Sequence, residues 1–310
     1  MADKHSHDDL AHAAIHAQRQ NMSQEEIFQQ SGCHPLMNPH GITYRECRDS
    51  DVNPESIGII FGLDCTGSMR GVLELLATKY LCQFMKIVKQ FVPYPQPLMA
   101  GIGDERGGDV APCQLGQFEC EAQLIDQWLT RLDINQNGFD NDGESYELIF
   151  YAAARKMAMD CWEKRDRKGY LFVTGDDKPF DFVSAREVLH VFGDKIANNI
   201  PMASIIKEAS KTFHPFFMIP DHARRSYCEG PWRKYLGDNV ICLEDAADTS
   251  AAAGAIIGLT EGRLADLDAV SAKLKSMQIE GAQVQRVIGA IAPYAASIGR
   301  GGKTRSTGRG

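Results

Sequence analysis

The sequence lacks the features that mark membrane-spanning and secreted proteins. None of its apolar runs approaches the ~20 residues that a membrane-spanning helix needs, and residues 1–21 contain no apolar core of the kind found in secretory signals. Its nine cysteines form no Cys-x-x-Cys pair, and Cys65, Cys82 and Cys242 lie inside apolar periodic segments. We therefore expect reduced core thiols and a cytoplasmic protein.

Positive charge is also in short supply. The chain carries 33 Lys and Arg against 41 Asp and Glu, which gives a net charge of −8. Nucleic-acid binding needs a basic face, so this composition argues against it, apart from the basic tail at residues 299–310. An excess of carboxylates instead suits a site that gathers divalent cations.

Apolar runs alternate with amphipathic helical stretches along the middle of the chain. The predicted strands are Ile57 to Leu63, Leu98 to Gly103, Cys113 to Cys120, Tyr170 to Val173, Phe216 to Ile219 and Val240 to Leu243. Strands that alternate with helices in this way predict βαβ units and right-handed crossovers. The expected fold is therefore α/β, with a doubly wound, mostly parallel Rossmann-like sheet and helices on both faces.

Changes in composition divide the chain into four regions. Residues 1–54 are polar and rich in His and Gln, and they contain a helix-capping box at Ser23-Gln-Glu-Glu26, so we expect an N-terminal arm. Residues 55–262 hold the predicted α/β domain. Residues 263–298 form an Ala-rich helical segment. Residues 299–310 are a Gly/Arg tail that cannot bury a core and is expected to be disordered.

Polar side chains follow three of the predicted strands. The first strand ends in Asp64-Cys-Thr66-Gly-Ser68, the second in Gly103-Asp104-Glu105, and the fourth in Gly175-Asp176-Asp177. Ligands of open α/β sheets bind at the carboxyl ends of the strands. Clustered carboxylates are unfavourable unless a cation offsets their charge, and hard oxygen ligands suit Mg²⁺, Mn²⁺ or Ca²⁺. These strand ends predict a divalent-metal site, with Mg²⁺ as the first choice.

The segment Asp64-x-Thr66-x-Ser68 resembles the D-x-[ST]-x-S signature of the metal-ion-dependent adhesion site in von Willebrand factor A (vWA) domains. It stands after the first strand and before a long amphipathic helix, where that family has it, and Asp176 resembles the family's second acidic position. The resemblance implies direct contact of Thr66 and Ser68 with the metal. Asp64 and Asp176 would act partly through water. Further stretches resemble a bacterial and phage group of these proteins, namely Arg45-Glu-Cys-Arg48-Asp49-Ser50, Asp160-Cys-Trp-Glu-Lys-Arg165 and Trp232-Arg-x-x-Leu-Gly237.

The family's remaining metal residue is a Thr in the loop before the fourth helix, and this sequence has no Thr there. We assign that position to Ser145, with Asp142 and Glu144 as alternatives. The predicted metal residues are thus Asp64, Thr66, Ser68, Ser145 and Asp176. The resemblance implies a binding module rather than an enzyme, in which a partner's carboxylate completes the metal site. It suggests an AAA+ ATPase or a neighbouring subunit of a larger assembly as the partner.

Two other functions use the same residues. The segment from Asp133 to Glu144 matches the calcium loop of an EF-hand in spacing, including Gly138 at the sixth place. Asp140 stands at the eighth place, where such loops normally carry an apolar residue. The segment Asp64-x-Thr66-Gly-Ser68 also resembles the D-K-T-G-T of haloacid-dehalogenase-type phosphatases, whose Asp attacks phosphorus beside Mg²⁺. Most soluble members carry a second Asp where this chain has Thr66.

Overall fold

The structure is a computed structural model that describes residues 4–19, 21–134 and 143–301. The strands in these ranges are β1 (Arg45–Cys47), β2 (Ile57–Asp64), β3 (Pro95–Ile102), β4 (Cys113–Leu115), β5 (Met157–Met159), β6 (Gly169–Thr174), β7 (Phe182–Val183), β8 (Ile200–Pro201), β9 (Phe213–Ile219) and β10 (Val240–Cys242). The helices are α1 (Lys4–Arg19), α2 (Gln24–Ile27), α3 (Arg70–Leu75), α4 (Leu81–Val88), α5 (Ala122–Thr130), α6 (Tyr146–Arg155), α7 (Asp160–Glu163), α8 (Ala185–Phe192), α9 (Met202–Ala209), α10 (Arg225–Leu236), α11 (Thr249–Thr260), α12 (Leu267–Ser276) and α13 (Gly281–Ser297). Within the same ranges, no helix has the length and apolar character needed to cross a membrane.

Six strands form the central sheet in the order β10-β9-β6-β2-β3-β4. All neighbours run parallel except β4, which pairs antiparallel with β3 at one edge. The chain builds outward from β2 to β3 and β4, then returns to the other side of β2 to add β6, β9 and β10. This order is that of a doubly wound α/β fold, and it confirms the predicted fold class.

Helices cover both faces of this sheet, as neighbouring residues of the central strand β2 show. Every residue of β2 is buried, as expected for a parallel strand with a helix layer on each side. The ring of Phe61 packs edge-on against Phe84 of α4, with centroids 4.7 Å apart. The next residue, Gly62, points to the opposite face, where a Cβ atom would lie 3.2 Å from Ile149 of α6.

The N-terminal extension packs against the α/β body. Helix α1 contacts α4 and α5, and its Arg19 forms an ion pair with Asp126 of α5 in which both side chains are largely buried. The predicted capping box is present, because Ser23 and Glu26 each bond to the other's backbone N–H, and the short helix that follows ends at Ile27. At the other end of the chain, Arg286 of α13 pairs with Asp248 at 2.7 Å. Most of the predicted Gly/Arg tail, residues 302–310, lies outside the described ranges.

One predicted helix is interrupted in the structure. The sequence pattern predicts a single helix from Ser145 to about Asp160, but α6 ends at Arg155 and β5 follows. Strand β5 pairs in parallel with β1, so that Arg45 lies opposite Met157. Because β1 comes from the N-terminal extension, the pattern of apolar residues within 145–160 cannot predict that this segment pairs with it.

Candidate metal centre

The loops after β2 and β6 meet at the carboxyl edge of the sheet. The two strands are parallel neighbours, with Leu63 opposite Thr174, so both chains leave the sheet at the same level. This is the point where the strand order reverses, the usual ligand site of doubly wound folds. Ser68 in the first loop donates a hydrogen bond to Asp176 Oδ1 in the second, at 3.1 Å. Residues 108 positions apart are thereby brought together.

Four of the five predicted metal residues are linked by hydrogen bonds from two hydroxyls to two carboxylates and by the close approach of the two hydroxyl oxygens. Asp64 Oδ1 accepts from the backbone N–H of Thr66 at 2.9 Å and from its hydroxyl at 2.6 Å. The hydroxyl oxygens of Thr66 and Ser68 are 3.3 Å apart, and Ser68 continues the chain to Asp176. The segment after β2 therefore turns back toward Asp64 at the end of that strand. The hydroxyl groups of Thr66 and Ser68 lie between the carboxylates of Asp64 and Asp176.

Tyr146 is a site residue that sequence reasoning missed. Its apolar helical setting predicts a core side chain, and the ring is indeed buried. Its hydroxyl, however, donates to Asp64 Oδ2 at 2.5 Å. The ring reaches this position because residue 175 is a glycine, where a Cβ atom would lie 2.3 Å from the tyrosine oxygen. The position next to Ser145 is the only sequence signal that could have pointed to this role.

The fifth predicted residue, Ser145, makes its contacts elsewhere. Its hydroxyl accepts from the backbone N–H of Glu105 at 3.0 Å, and its own N–H donates to the Gly103 carbonyl at 3.0 Å. These bonds fasten the start of α6 to the loop after β3. No hydrogen bond in the described ranges joins Ser145 to Thr66, Ser68 or Asp176. Of its alternatives, Asp142 lies outside the described residues.

Glu144, the other alternative, lies among the acidic strand ends. Its Oε2 atom is buried and has no hydrogen-bond partner in the described part of the chain. Burial raises the pKa of Glu144 most, the charges of Asp64, Asp104, Asp177 and Asp176 add to the rise in that order, and together they bring it to about 10. A carboxyl group in such surroundings is held neutral unless a cation joins it.

The neighbouring carboxyl groups share this electrostatic strain. Burial raises the pKa of Asp64 to about 7, against the hydrogen bonds from Thr66 and Tyr146, and the charge of Asp176 adds to the rise. Burial also raises the pKa of Asp176, opposed by its bond from Ser68 and by the charge of Arg224. A positive charge placed among these groups would let all of them ionise.

Arg224, the residue just before α10, makes a second set of contacts that the sequence pattern does not predict. Its Nε donates to the Asp176 carbonyl at 3.0 Å and lies 3.5 Å from Asp176 Oδ2, while Nη2 lies 3.5 Å from Asp177 Oδ2. Helix α10 fixes the same turn through Cys228 Sγ, which donates to the Asp176 carbonyl, and Trp232 Nε1, which donates to the Asp177 carbonyl at 2.9 Å.

The described residues contain no group of three or more His, Cys, Asp or Glu side chains placed to hold a metal ion. The candidate centre has a different composition, since Thr66 and Ser68 supply hydroxyl groups for two of its four side chains. The EF-hand hypothesis falls partly outside the described residues, since Asn135, Asn137, Gly138 and Asp140 lie there. The two ends of this loop have different neighbours. At one end, burial and, to a smaller extent, the charge of Asp109 raise the pKa of Asp133. At the other end, Glu144 lies among the acidic side chains of the strand ends.

Comparisons with known proteins leave the family open. A scan against protein-family models found no match, and a search of curated proteins found none either. Among solved structures, the open conformation of the pilus adhesin SpaC from Lactobacillus rhamnosus GG matches with a TM-score of 0.41 and 11% identity over 73% of this chain. A second structure of SpaC gives 0.41 and 12% over 72%. The match spans 31% of the adhesin in both cases, and likeness at this level assigns no function.

Proposed function

We propose that the protein is a metal-dependent protein-binding module of the vWA type. Asp64, Thr66, Ser68 and Asp176 hold a divalent cation, Mg²⁺ first, and a carboxylate of a partner protein completes its coordination. The observation that carries this proposal is the hydrogen bond from Ser68 to Asp176, which joins the loops after β2 and β6 where the strand order reverses. The ion would supply a positive charge that a partner's carboxylate can bind.

The donor set fits a hard divalent ion. The hydroxyl of Thr66 gives its proton to Asp64, and that of Ser68 gives its proton to Asp176. Each hydroxyl oxygen therefore keeps its lone pairs for a cation, and oxygen ligands of this kind suit Mg²⁺, Mn²⁺ and Ca²⁺. The unpartnered Oε2 of Glu144 supports the same conclusion, since a nearby cation would offset the charges of Asp64 and Asp176 that add to its raised pKa.

The surroundings of Asp64 favour binding over turnover. A phosphatase nucleophile must direct a carboxylate oxygen at the substrate. Asp64 is fully buried, its Oδ1 accepts two bonds from Thr66, and its Oδ2 accepts one from Tyr146. These bonds orient Asp64 as a supporting carboxylate, so the proposal is a non-enzymatic module.

The cellular setting and the partner belong to the same proposal. All nine cysteines are free thiols, and most are buried, which agrees with a reducing cytoplasm. The vWA resemblance makes AAA+ ATPases and neighbouring subunits of a larger assembly the first partners to test.

Calorimetric titration with Mg²⁺, Mn²⁺ and Ca²⁺ tests the metal site. The Asp64→Asn substitution keeps the size of the side chain but removes its charge, and we expect it to weaken metal binding by at least about tenfold. The matched control is Asp133→Asn, which removes a carboxylate needed only by the EF-hand hypothesis and should leave binding unchanged.

The reverse pattern would refute the proposal. Binding that survives Asp64→Asn but is lost in Asp133→Asn would place the ion in the loop between Asp133 and Glu144. A wild-type protein that binds none of the three ions would contradict both metal hypotheses.

A further inference from the structure

Two cations stand at the rim of this acidic centre, although the chain as a whole is acidic. Lys178 Nζ lies 3.9 Å from the centroid of the Tyr227 ring, and Arg224 Cζ lies 4.7 Å from it. Both residues flank the Asp176-Asp177 turn, Lys178 by sequence and Arg224 by its hydrogen bond to the Asp176 carbonyl. The aromatic ring therefore positions two positive charges next to Asp176, one of the predicted metal residues.

Arg224 retains unused donors that face solvent. Its Nε and Nη2 contact Asp176 and Asp177, but Nη1 has no hydrogen-bond partner in the described ranges. The side chain is 39% exposed, so a molecule outside the protein can reach it. A guanidinium held at one edge and open at the other is suited to bind a carboxylate through paired N–H groups.

The support beneath Arg224 is rigid. The Asp176 and Asp177 carbonyls accept bonds from Cys228 and Trp232 of α10, and the buried indole of Trp232 stacks on Phe217 of β9 with centroids 3.8 Å apart. The distance between Arg224 and the Asp176 turn is therefore set by packed core residues. A site ordered in advance loses little entropy when a ligand binds.

A divalent ion would make the rim less negative. In the metal-free protein, the carboxylates of Asp176 and Asp177 offset the charges of Arg224 and Lys178. An ion at Ser68 and Asp176 would add two positive charges beside Arg224 and Lys178, so that three cationic groups would lie next to one another. Such a surface favours a partner that carries more than one negative charge.

We propose that Arg224, assisted by Lys178, is a second anchor for an acidic partner segment with at least two neighbouring carboxylates. One carboxylate completes the metal site and the next binds the free edge of the Arg224 guanidinium. This inference rests on the proposed function. It adds a requirement that the metal site alone does not make, since a single carboxylate would be enough to complete the metal.

Binding of two synthetic peptides to the Mg²⁺-loaded 310-residue chain tests the second anchor. One probe is hexaglutamate, and the other is a capped hexapeptide with one Glu among five Gln; each is also titrated into Mg²⁺ alone. We expect wild type to prefer hexaglutamate, and Arg224→Gln to weaken hexaglutamate binding by about tenfold while leaving the single-Glu peptide nearly unchanged. The matched control is Arg225→Gln, because Arg225 is already paired with Glu229 at 2.8 Å.

Each alternative result has its own meaning. An Arg224→Gln protein that binds Mg²⁺ and keeps the wild-type preference for hexaglutamate would overturn the second anchor and leave the proposed function intact. Equal losses in Arg224→Gln and Arg225→Gln would also overturn it, because general charge attraction would then explain the preference. A wild-type protein that binds Mg²⁺ but neither peptide would overturn the proposed function together with this inference.

Discussion

The protein contains two groups of buried carboxyl side chains, and only the first has an arginine between its members. In this first group, which we call the paired cluster, Glu147 of α6 and Glu187 of α8 flank Arg106 from the loop after β3. Arg106 Nε donates to Glu187 Oε1 at 2.8 Å, and its Nη2 lies 4.0 Å from Glu147 Oε1. The paired cluster is thus neutralised from within the protein.

The second group, the strand-end cluster of Asp64, Glu144 and Asp176, has no such cation among its members. Arg224 contacts Asp176 from the rim, and the carboxyl group of Glu144 has a buried oxygen without a hydrogen bond in the described ranges. Glu144 and Glu147 are three positions apart. In both clusters a buried glutamate has carboxyl oxygens without a hydrogen bond in the described ranges, Glu147 in the first and Glu144 in the second. The comparison teaches that the clusters differ in where the arginine lies, since Arg106 lies between its acids whereas Arg224 reaches only Asp176 at the rim.

The largest expected effect comes from removing the internal cation of the paired cluster. Arg106→Met keeps the contact with the Phe180 ring, which lies 3.6 Å from the guanidinium, but leaves the acids without a positive charge. Breaking a buried pair by removing one partner costs about 3–5 kcal/mol. Because Arg106 is 27% exposed, we expect the lower end, about 3 kcal/mol, in urea unfolding at pH 7.

A second substitution checks the cause of that loss. Adding Glu187→Gln to Arg106→Met removes the carboxylate charge that Arg106 pairs with and should recover part of the stability, while Gln still caps the start of α8 as Glu187 does. Magnesium affinity should be unchanged in both variants. If Arg106→Met alone lost less than about 0.5 kcal/mol, the ordinary range for surface substitutions, the paired cluster would not depend on its arginine.

The sheet was largely predictable from the sequence because its signals are local. Each central strand is a short apolar run next to a turn, so the six runs predicted the six strands and their polar ends. The pairings β1–β5 and β7–β8 were not predicted. These strands have only two or three residues each, too few for a periodic pattern to show, and β1 and β5 also come from distant parts of the chain.

The candidate site was predictable only in part, for a related reason. Asp64, Thr66, Ser68 and Asp176 follow strand ends, where topology alone brings them near each other. The choice between Glu144 and Ser145 depends on which side chain turns toward the sheet, and adjacent positions in a loop give no pattern for that. Tyr146 and Asp64 are 82 positions apart, so their hydrogen bond becomes visible only in three dimensions.

The next largest effect concerns the pH dependence of the paired cluster. Burial raises the pKa of Glu147 well above its usual range, and the charge of Glu187 adds to this rise. The folded state therefore holds a proton that the unfolded chain releases above about pH 4.5. The stability that Glu147 contributes is complete below that pH and is lost as the pH rises toward its folded-state pKa.

Replacing Glu147 with Gln removes this dependence. In urea unfolding, Glu147→Gln should match wild type at pH 4 and exceed it by on the order of 1 kcal/mol or more at pH 8. Arg106 limits the gain, since it lies near the carboxyl group that is replaced. A difference between the two proteins that stays constant from pH 4 to pH 8 would show that Glu147 is ionised in the folded state.

The smallest expected effect separates support of the metal site from support of the helix. Tyr146→Phe removes the hydroxyl that donates to Asp64, and Tyr151→Phe removes a hydroxyl on the same helix that donates to Asp194 at 2.7 Å. Each should cost about 1 kcal/mol of stability, the usual value of one hydrogen bond. Metal affinity should fall in Tyr146→Phe alone, by roughly tenfold, because partners of supporting carboxylates orient them.

The pair of tyrosine variants decides whether the strand-end cluster is built for an ion. Calorimetry with Mg²⁺ gives the affinity, and urea unfolding gives the stability of the same two proteins. Equal metal affinity in Tyr146→Phe and Tyr151→Phe would mean that the bond to Asp64 serves folding only. A loss confined to Tyr146→Phe would mean that the hydroxyl holds Asp64 for the metal, and that the two acid clusters differ in purpose as well as in composition.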